Sequence, residues 1–263
     1  MGRGVVSLDG HDGTPQVAVR AVWLQADPAV RSSLRGLLSP DEIDRADRFA
    51  FERLRVSYEV SHGALRVLLA QYVGCDPGDL AFTFGTWGKP ALRGESRVRF
   101  NMSHSGELAV YAFALDCEVG VDVEKVREIS DLEEIAERFF SRAEVSELLS
   151  IGDAKQRRAA FFRCWTRKES YIKSVGDGLS SGLDQFQVTL LPGAPAGLVH
   201  IGNDAGAGSA WTLQHLEPAP GYVGALAYRG SARKLELSPP LSSRDVLELS
   251  PTTASRLPGR DTE

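Results

Sequence analysis

The 263-residue sequence has few cysteines and no ordered spacing among them. Cys75, Cys117 and Cys164 are odd in number and far apart, so they fit neither a disulfide framework nor a set of zinc ligands. No apolar run approaches the roughly 20 residues of a membrane-spanning helix, and no basic segment followed by an apolar one opens the chain. We therefore expect a cytoplasmic protein with reduced thiols and no membrane partner.

An excess of positive charge is also lacking, because 30 Lys and Arg stand against 35 Asp and Glu, a net charge of −5. No overall field favours nucleic acid as a partner, and any basic contact must be local. The hydrophobic fraction of 43% and the charged fraction of 25% are typical of a globular chain. A chain of this length can bury a hydrophobic core large enough to be stable without disulfides or structural metal ions.

Hydrophobic periodicity and turn residues predict a mixed α+β fold. Helices are expected at residues 39–50, 57–72, 132–138, 142–149 and 153–174. Strands are expected at residues 17–24, 80–84, 97–102, 108–114, from 119 onward, 186–190, 210–216 and 221–227. A last strand is expected at 234–237 and a turn of helix at 244–249. Residues 191–209 are rich in Gly, Ala and Pro, which predicts a flexible connection.

The segment Gly120–Lys125 contains valines at every second position, which is typical of a strand with one buried face. Side chains two residues apart point to the same side of a strand, so Asp122 and Glu124 share the opposite face. A solvated acidic face is the ordinary interpretation. A pair of carboxylates prepared to bind a cation is the alternative.

A second segment, residues 165–173, has the spacing of a helix on which Glu169 and Lys173 lie one turn apart. Such a pair is usually a surface ion pair. Here the apolar residues Phe162, Trp165 and Ile172 recur at helical spacing with Glu169, and a carboxylate bordering an apolar face needs a partner. Three convergent carboxylates suit Mg²⁺, and a lysine beside them suits a phosphate.

Hydrogen-bond donors cluster in a third segment, Phe100–Gly106, where a strand ends in a tight turn. Ser103 and His104 there could donate to an anion, although a histidine in a turn is more often structural. Lys89 lies in a Gly/Pro turn and Arg45 in an arginine-rich helical segment; either could be an ordinary solvated charge.

Taken together, the segments resemble the 4′-phosphopantetheinyl transferases, and specifically the larger, Sfp-type class in which one chain contains two halves. The resemblance covers about residues 17–230. The matching segments are Gly88–Pro90, Phe100–Gly106, Gly120–Lys125, Arg138–Ser141, Trp165–Lys173 and Gly176–Leu179. Each segment is weak alone, but their order and spacing are specific.

The resemblance implies transfer of the 4′-phosphopantetheine arm of coenzyme A to a serine of an acyl or peptidyl carrier protein, with adenosine 3′,5′-bisphosphate as the other product. It implies that Asp122, Glu124 and Glu169 bind Mg²⁺, or Mn²⁺ in its place. Asp122, Glu169 and Lys173 would be the catalytic residues, with Glu169 or a metal-held water as the base. The implied coenzyme A contacts are Arg45, Lys89, Ser103, His104, Lys168 and Lys173. The motifs do not distinguish carriers of fatty-acid, polyketide and nonribosomal peptide synthesis.

For the fold, the resemblance implies two similar α/β halves related by a pseudo-twofold axis, with coenzyme A bound between them in a monomer. Residues 1–117 would form the nucleotide-binding half and residues 118–250 the half with the metal and catalytic residues. We expect a disordered tail from residue 251 to 263. Phe139 and Phe140 are expected in the core, with carrier contact as the alternative.

Two other functions fit the same residues. A metal-dependent phosphodiesterase or hydrolase would also use three carboxylates and a lysine, with water in place of the carrier serine. A coenzyme A-binding module without catalysis is the second alternative, although such a module has no evident need for both Glu169 and Lys173.

Overall fold

The computed structural model describes residues 6–8, 14, 16–176, 182–202, 204 and 206–250, and these form a mixed α+β fold. Two predictions fall outside the described residues: the end of the Gly176–Leu179 motif and the tail at 251–263. Within the described ranges, no helix combines the length and the apolar character needed to cross a bilayer. Cys75, Cys117 and Cys164 are free thiols, as the sequence predicts.

Alpha-helices occupy seven segments of the described chain. They are α1 (Pro28–Arg35), α2 (Pro40–Asp47), α3 (Glu52–Val73), α4 (Leu132–Phe139), α5 (Arg142–Leu149), α6 (Ala154–Val175) and α7 (Ser243–Glu248). Strands occupy eleven. They are β1 (Gln16–Trp23), β2 (Phe82–Phe84), β3 (Pro90–Leu92), β4 (Val98–Ser105), β5 (Leu108–Leu115), β6 (Val119–Lys125), β7 (Phe186–Val188), β8 (Leu198–Ile201), β9 (Trp211–Leu216), β10 (Tyr222–Arg229) and β11 (Lys234–Leu237).

The strands form two larger sheets and two hairpins. The first sheet has the order β11-β1-β5-β4, and the second has the order β6-β10-β9. All pairs in them are antiparallel except β1 with β11. The hairpins are β2–β3 and β7–β8. The first sheet therefore ends at β4 and the second at β6, the two strands on which the sequence placed candidate site residues.

Three apolar clusters separate the layers. One fills the space between the two sheets, and it contains the alternating valines of β6 that the sequence assigned to a buried face. A second lies between the first sheet and helices α1, α3 and α7. The third lies between the second sheet and helices α4–α6, and it includes Phe140, which is 3% exposed. The prediction that Phe140 is core is confirmed. Asp122 and Glu124, on the other face of β6, turn away from the valine cluster.

Local capping explains where several helices begin and end. Ser39 caps α2 and exchanges hydrogen bonds with Glu42 in a capping box, with Pro40 at the first helical position. The two 22-residue helices α3 and α6 each end at a glycine in the left-handed conformation, Gly74 (φ 76°) and Gly176 (φ 80°). Glycine adopts this conformation without the steric penalty that a side chain brings.

Some predicted elements differ from the structure. Helix α1 lies where no helix is predicted, and α3 begins at Glu52, five residues before the predicted start. The prediction of a flexible connection over residues 191–209 is wrong in part, because β8 lies within it and pairs with β7. Short strands of this kind have too few residues for their period to show.

The last described segment lies against the first half of the chain. β11 pairs in parallel with β1, and α7 packs on α3 with Val246 fully buried. The sequence assigned residues 234–250 to the C-terminal half, but in the structure they complete the first sheet and its helical layer. A four-residue strand carries no local signal that specifies a partner more than 200 residues away.

Candidate active site

The edge strands β4 and β6 meet through side chains, and no backbone ladder joins them in the described chain. Three of these contacts are Asn101 accepting from the backbone N–H of Val121, Ser103 donating to Asp122 and Ser105 donating to Glu124. The donor–acceptor distances are 2.9, 2.8 and 2.6 Å. The three β4 residues are two apart, so one face of β4 makes all three contacts. This junction orients both β6 carboxylates.

Helix α6 lies against β6 at Gly120. A Cβ atom on Gly120 would stand 2.0 Å from the carbonyl oxygen of Ser170 and 2.3 Å from the backbone nitrogen of Ser174. Real atoms do not approach so closely, so only glycine permits this contact. The absent side chain lets α6 place Glu169 and Lys173 beside the acidic face of β6.

Lys173 joins these elements. Its ammonium donates to Oδ1 of Asp122 at 2.6 Å and to the hydroxyl of Ser103 at 3.0 Å. The Asp122 side chain is 6% exposed, and its second oxygen, Oδ2, is buried without a hydrogen-bond partner. A buried carboxylate oxygen with no donor is costly and marks a position where a cation would be stabilised.

Glu124 and Glu169 lie in surroundings that disfavour the charged forms of their carboxyl groups. Burial raises the pKa of the Glu169 carboxyl, and the negative charges of Asp122 and Glu124 raise it further, while Lys173 opposes them. Burial likewise raises the pKa of Glu124, against the hydrogen bond from Ser105. The charges of these carboxylates therefore act on one another. Among the described residues, however, no group of three or more His, Cys, Asp or Glu stands close enough to hold a metal ion.

A cavity of about 380 Å³ opens beside this cluster. It brings together four of the predicted coenzyme A contacts, Arg45, Ser103, His104 and Lys173. The other lining residues are Glu42, Tyr58, His62, Leu65, Phe82, Phe84, Gly88, Pro90 and Met102. Lys173 comes from α6 and the rest from the first half of the chain, so the cavity is completed only by both.

The polar wall of the cavity is suited to an anion. Burial lowers the pKa of His104, and the nearby positive charge of Lys173 lowers it further. A neutral imidazole can still donate one hydrogen bond, while Lys173 and Arg45 supply positive charge. The Arg45 guanidinium lies over the ring of Tyr58, 5.6 Å from its centroid, with no ion-pair partner among the described side chains.

Lys89 is not brought to this cavity, contrary to the prediction. Its ammonium contacts a carboxylate oxygen of Glu118 at 2.8 Å and the carbonyl oxygens of Ser174 and Val119 at 3.1 and 3.3 Å. It therefore ties the β2–β3 hairpin to the end of α6. The neighbouring Gly88 and Pro90 line the cavity in its place.

Lys168 does not line the cavity either, and its burial corrects the prediction that it contacts coenzyme A. The side chain is fully buried and forms an ion pair with Glu144 at 2.8 Å. Its ammonium also donates to the carbonyl oxygens of Leu183 and Phe186, at 2.8 and 2.6 Å. Successive helical residues point about 100° apart, so a neighbour of Glu169 faces the interior. Lys168 holds the packing of α6 on α5 and β7.

Sequence reasoning missed Tyr58 and His62, which line the cavity from α3. Their spacing of four residues indicates a shared helix face, but nothing local indicates that this face borders a cavity.

Comparison with known proteins gives a consistent result. Residues 118–227 match the family model described as the 4′-phosphopantetheinyl transferase superfamily. The chain is 39% identical over 200 residues to the 4′-phosphopantetheinyl transferase HetI of Nostoc sp., which covers 75% of this chain and 81% of that protein. It is 35% identical over 153 residues to the 4′-phosphopantetheinyl transferase Sfp of Bacillus subtilis, covering 58% of this chain and 66% of that protein.

A solved structure, Thermotoga maritima holo-(acyl-carrier-protein) synthase, matches 44% of this chain and 64% of its own with a TM-score of 0.34 and 21% identity. This likeness is too low to carry an argument about the fold.

Replacing Gly120 by alanine should force α6 away from β6, because the new methyl group overlaps two backbone atoms of α6. We expect the unfolding free energy to fall by about 1–3 kcal/mol, the usual effect of overpacking. Urea denaturation measures it. Gly152→Ala, where nothing lies within 4 Å, is the matched control and should change little. Equal stability of both variants would show that the Gly120 contact is not required.

Replacing Lys168 by methionine should leave Glu144 as an uncompensated buried charge. We expect a loss of about 3–5 kcal/mol in unfolding free energy. Lys155→Met, on the exposed side of the same helix, should stay within about 0.5 kcal/mol of the original protein. If urea denaturation shows only a small effect of the Lys168 substitution, the Lys168 ammonium is not needed to compensate the buried charge of Glu144.

Proposed function

The chain belongs to the 4′-phosphopantetheinyl transferase superfamily, and from that premise we propose how its site moves the phosphopantetheine arm of coenzyme A to a carrier protein. The enzyme is a phosphopantetheinyl transferase that modifies carrier proteins, like its relatives. The observation that carries the proposal is the position of Lys173, which lines the cavity and pairs with Asp122 at 2.6 Å. It connects a space for an anionic ligand with the carboxylate cluster.

We propose that coenzyme A binds in the cavity. Ser103 and His104 would donate hydrogen bonds to its phosphates, and Lys173 and Arg45 would balance their charge. Because Lys173 comes from α6 and Arg45 from α2, phosphates bound by both would lie between the two parts of the chain. Since α2 and α6 of one chain both line the cavity, we propose a monomeric enzyme.

Mg²⁺, or Mn²⁺ with similar oxygen preference, fits the donor set of this site. The buried Oδ2 of Asp122 has no hydrogen-bond partner, and the pKa values of Glu124 and Glu169 are raised by burial and mutual repulsion. A divalent cation would relieve each of these. Asp122, Glu124 and Glu169 would hold it after coming closer together than they stand here. When bound, the ion would neutralise charge on the pyrophosphate.

Glu169 is the proposed general base. Its carboxylate accepts no hydrogen bond from the described residues, and its raised pKa makes it a better proton acceptor. It would take the proton of the carrier serine as the serine oxygen attacks the phosphorus that bears the pantetheine arm. The phosphoanhydride bond breaks, and its bridging oxygen leaves with adenosine 3′,5′-bisphosphate. Lys173 would stabilise the charge that develops on this leaving phosphate.

We further propose that residues 1–117 and residues 118–250 are two similar halves related by a pseudo-twofold axis. Each contains a 22-residue helix that ends at a left-handed glycine and packs on a sheet with antiparallel strands. The first half would bind the nucleotide and the second would supply Asp122, Glu124 and Glu169. Residues 234–249 would be an extension of the second half that packs on the first.

Incubation of the purified protein with coenzyme A, Mg²⁺ and an apo carrier protein tests the function. The carrier should gain the mass of the phosphopantetheine arm, and adenosine 3′,5′-bisphosphate should appear in equal amount. Chelation of divalent ions should stop the reaction. Release of the arm into solution without modification of any carrier would instead indicate a hydrolase.

Replacing Glu169 by glutamine should reduce kcat by about 10²- to 10⁴-fold, the usual contribution of a positioned base. Coenzyme A binding, measured by calorimetry, should persist because the amide keeps the shape of the side chain. Glu217→Gln, at a side chain that is 82% exposed, serves as the control with unchanged turnover. Undiminished turnover of the Glu169 variant would remove this residue from the chemistry, and lost binding would make it a ligand anchor.

A further inference from the structure

Tyr58 and His62 form a stacked pair on the wall of the cavity. Their ring centroids lie 3.8 Å apart with an interplanar angle of 23°. Both line the cavity, but neither belongs to the predicted site residues or takes part in the proposed phosphoryl transfer. A polar side chain in a ligand cavity without an assigned role needs an explanation.

The hydrogen bonds of His62 define its tautomer. Nδ1 lies 3.0 Å from the carbonyl oxygen of Tyr58 and 3.2 Å from the hydroxyl oxygen of Ser61. The carbonyl can only accept, and the Ser61 hydroxyl donates its own proton to that carbonyl, so Nδ1 carries the proton and donates. Burial lowers the pKa of His62 to about 4, so the ring is neutral near pH 7. Nε2 must therefore present a lone pair, and no described residue donates to it. His62 offers the cavity a hydrogen-bond acceptor held in one orientation by stacking.

Much of the wall beside this acceptor is apolar, with Glu42 and Arg45 as the charged residues near it. Beside the Tyr58–His62 pair, the cavity is lined by Leu65, Phe82, Phe84, Pro90 and Met102. Such a surface is suited to a planar aromatic group that carries few polar atoms. The phosphate donors Ser103, His104 and Lys173 come from other elements. Of the parts of coenzyme A, only the adenine base is planar and aromatic, and its exocyclic amino group donates hydrogen bonds.

We propose that Nε2 of His62 accepts a hydrogen bond from the amino group of the adenine base and so selects adenine over other purines. This inference rests on the proposed function, because it takes coenzyme A as the ligand. A 6-oxo purine presents an oxygen at the same position, and two acceptors then face each other without a shared proton. The site selects adenine because Nε2 of His62 and the oxygen of a 6-oxo purine would both be left without a hydrogen bond in a partly buried site.

The test compares coenzyme A with its analogue in which inosine replaces adenosine. The unaltered enzyme should show a KM about tenfold lower for coenzyme A, as one hydrogen bond predicts, with similar kcat. His62→Phe keeps an aromatic ring for stacking but removes the acceptor, so the preference should disappear. His62→Gln can place Oε1 near the position of Nε2 and should keep much of it. His215→Phe, on β9 outside the cavity lining, should retain the full preference.

Direct binding separates this inference from the function. Calorimetry with adenosine 3′,5′-bisphosphate and its inosine counterpart should show the same preference and the same loss in His62→Phe. If the carrier is modified but His62→Phe still prefers the adenine ligand, the role of His62 is wrong while the function stands. If no carrier is modified but the preference depends on His62, the function fails and the recognition stands. Equal affinity of the unaltered protein for both ligands overturns the inference without any variant.

Discussion

The ion pair between Lys173 and Asp122 is the contact on which the site depends, because it joins both sheets to α6. Asp122 lies on β6, Lys173 on α6, and Ser103 of β4 bonds to both within 3.0 Å. No backbone ladder connects the two sheets in the described chain, so side chains along β4 and β6 set their relation. A cavity that needs Arg45 from one part and Lys173 from the other forms only when this junction is in register.

The same junction holds an electrostatic imbalance. Three carboxylates influence one another there, opposed by Lys173 and, at Glu124, also by Arg127, and one oxygen of Asp122 is left without a donor. Such an arrangement is costly in a folded protein. It is compensated by the apolar clusters on both sides of the sheets and by the close contact at Gly120. The stable layers hold charged groups where a cation and a phosphate would be bound more strongly than in water.

The sequence could predict on which face of its strand or helix each site residue lies, but not every residue that its side chain contacts. The period of two in β6 and of 3.6 in α6 placed Asp122, Glu124, Glu169 and Lys173 on the correct faces. Lys168 was misassigned because proximity to Glu169 along the chain does not mean proximity in space. Its partner Glu144 is 24 residues away and is identified only by packing. The pairing of β11 with β1 was missed for the same reason.

His62 shows where sequence reasoning ends. Helical spacing places His62 on the same face as Tyr58. Whether Nε2 of His62 can accept a hydrogen bond in the cavity depends on three features that only the folded structure shows. The ring is buried enough to stay neutral, a carbonyl oxygen holds the proton on Nδ1, and the β2–β3 hairpin encloses an apolar space opposite. Each fact alone fits an ordinary structural histidine. Their combination in one cavity makes this neutral side chain a candidate for recognition of the base, while the charged residues nearby would bind the phosphates under the proposed function.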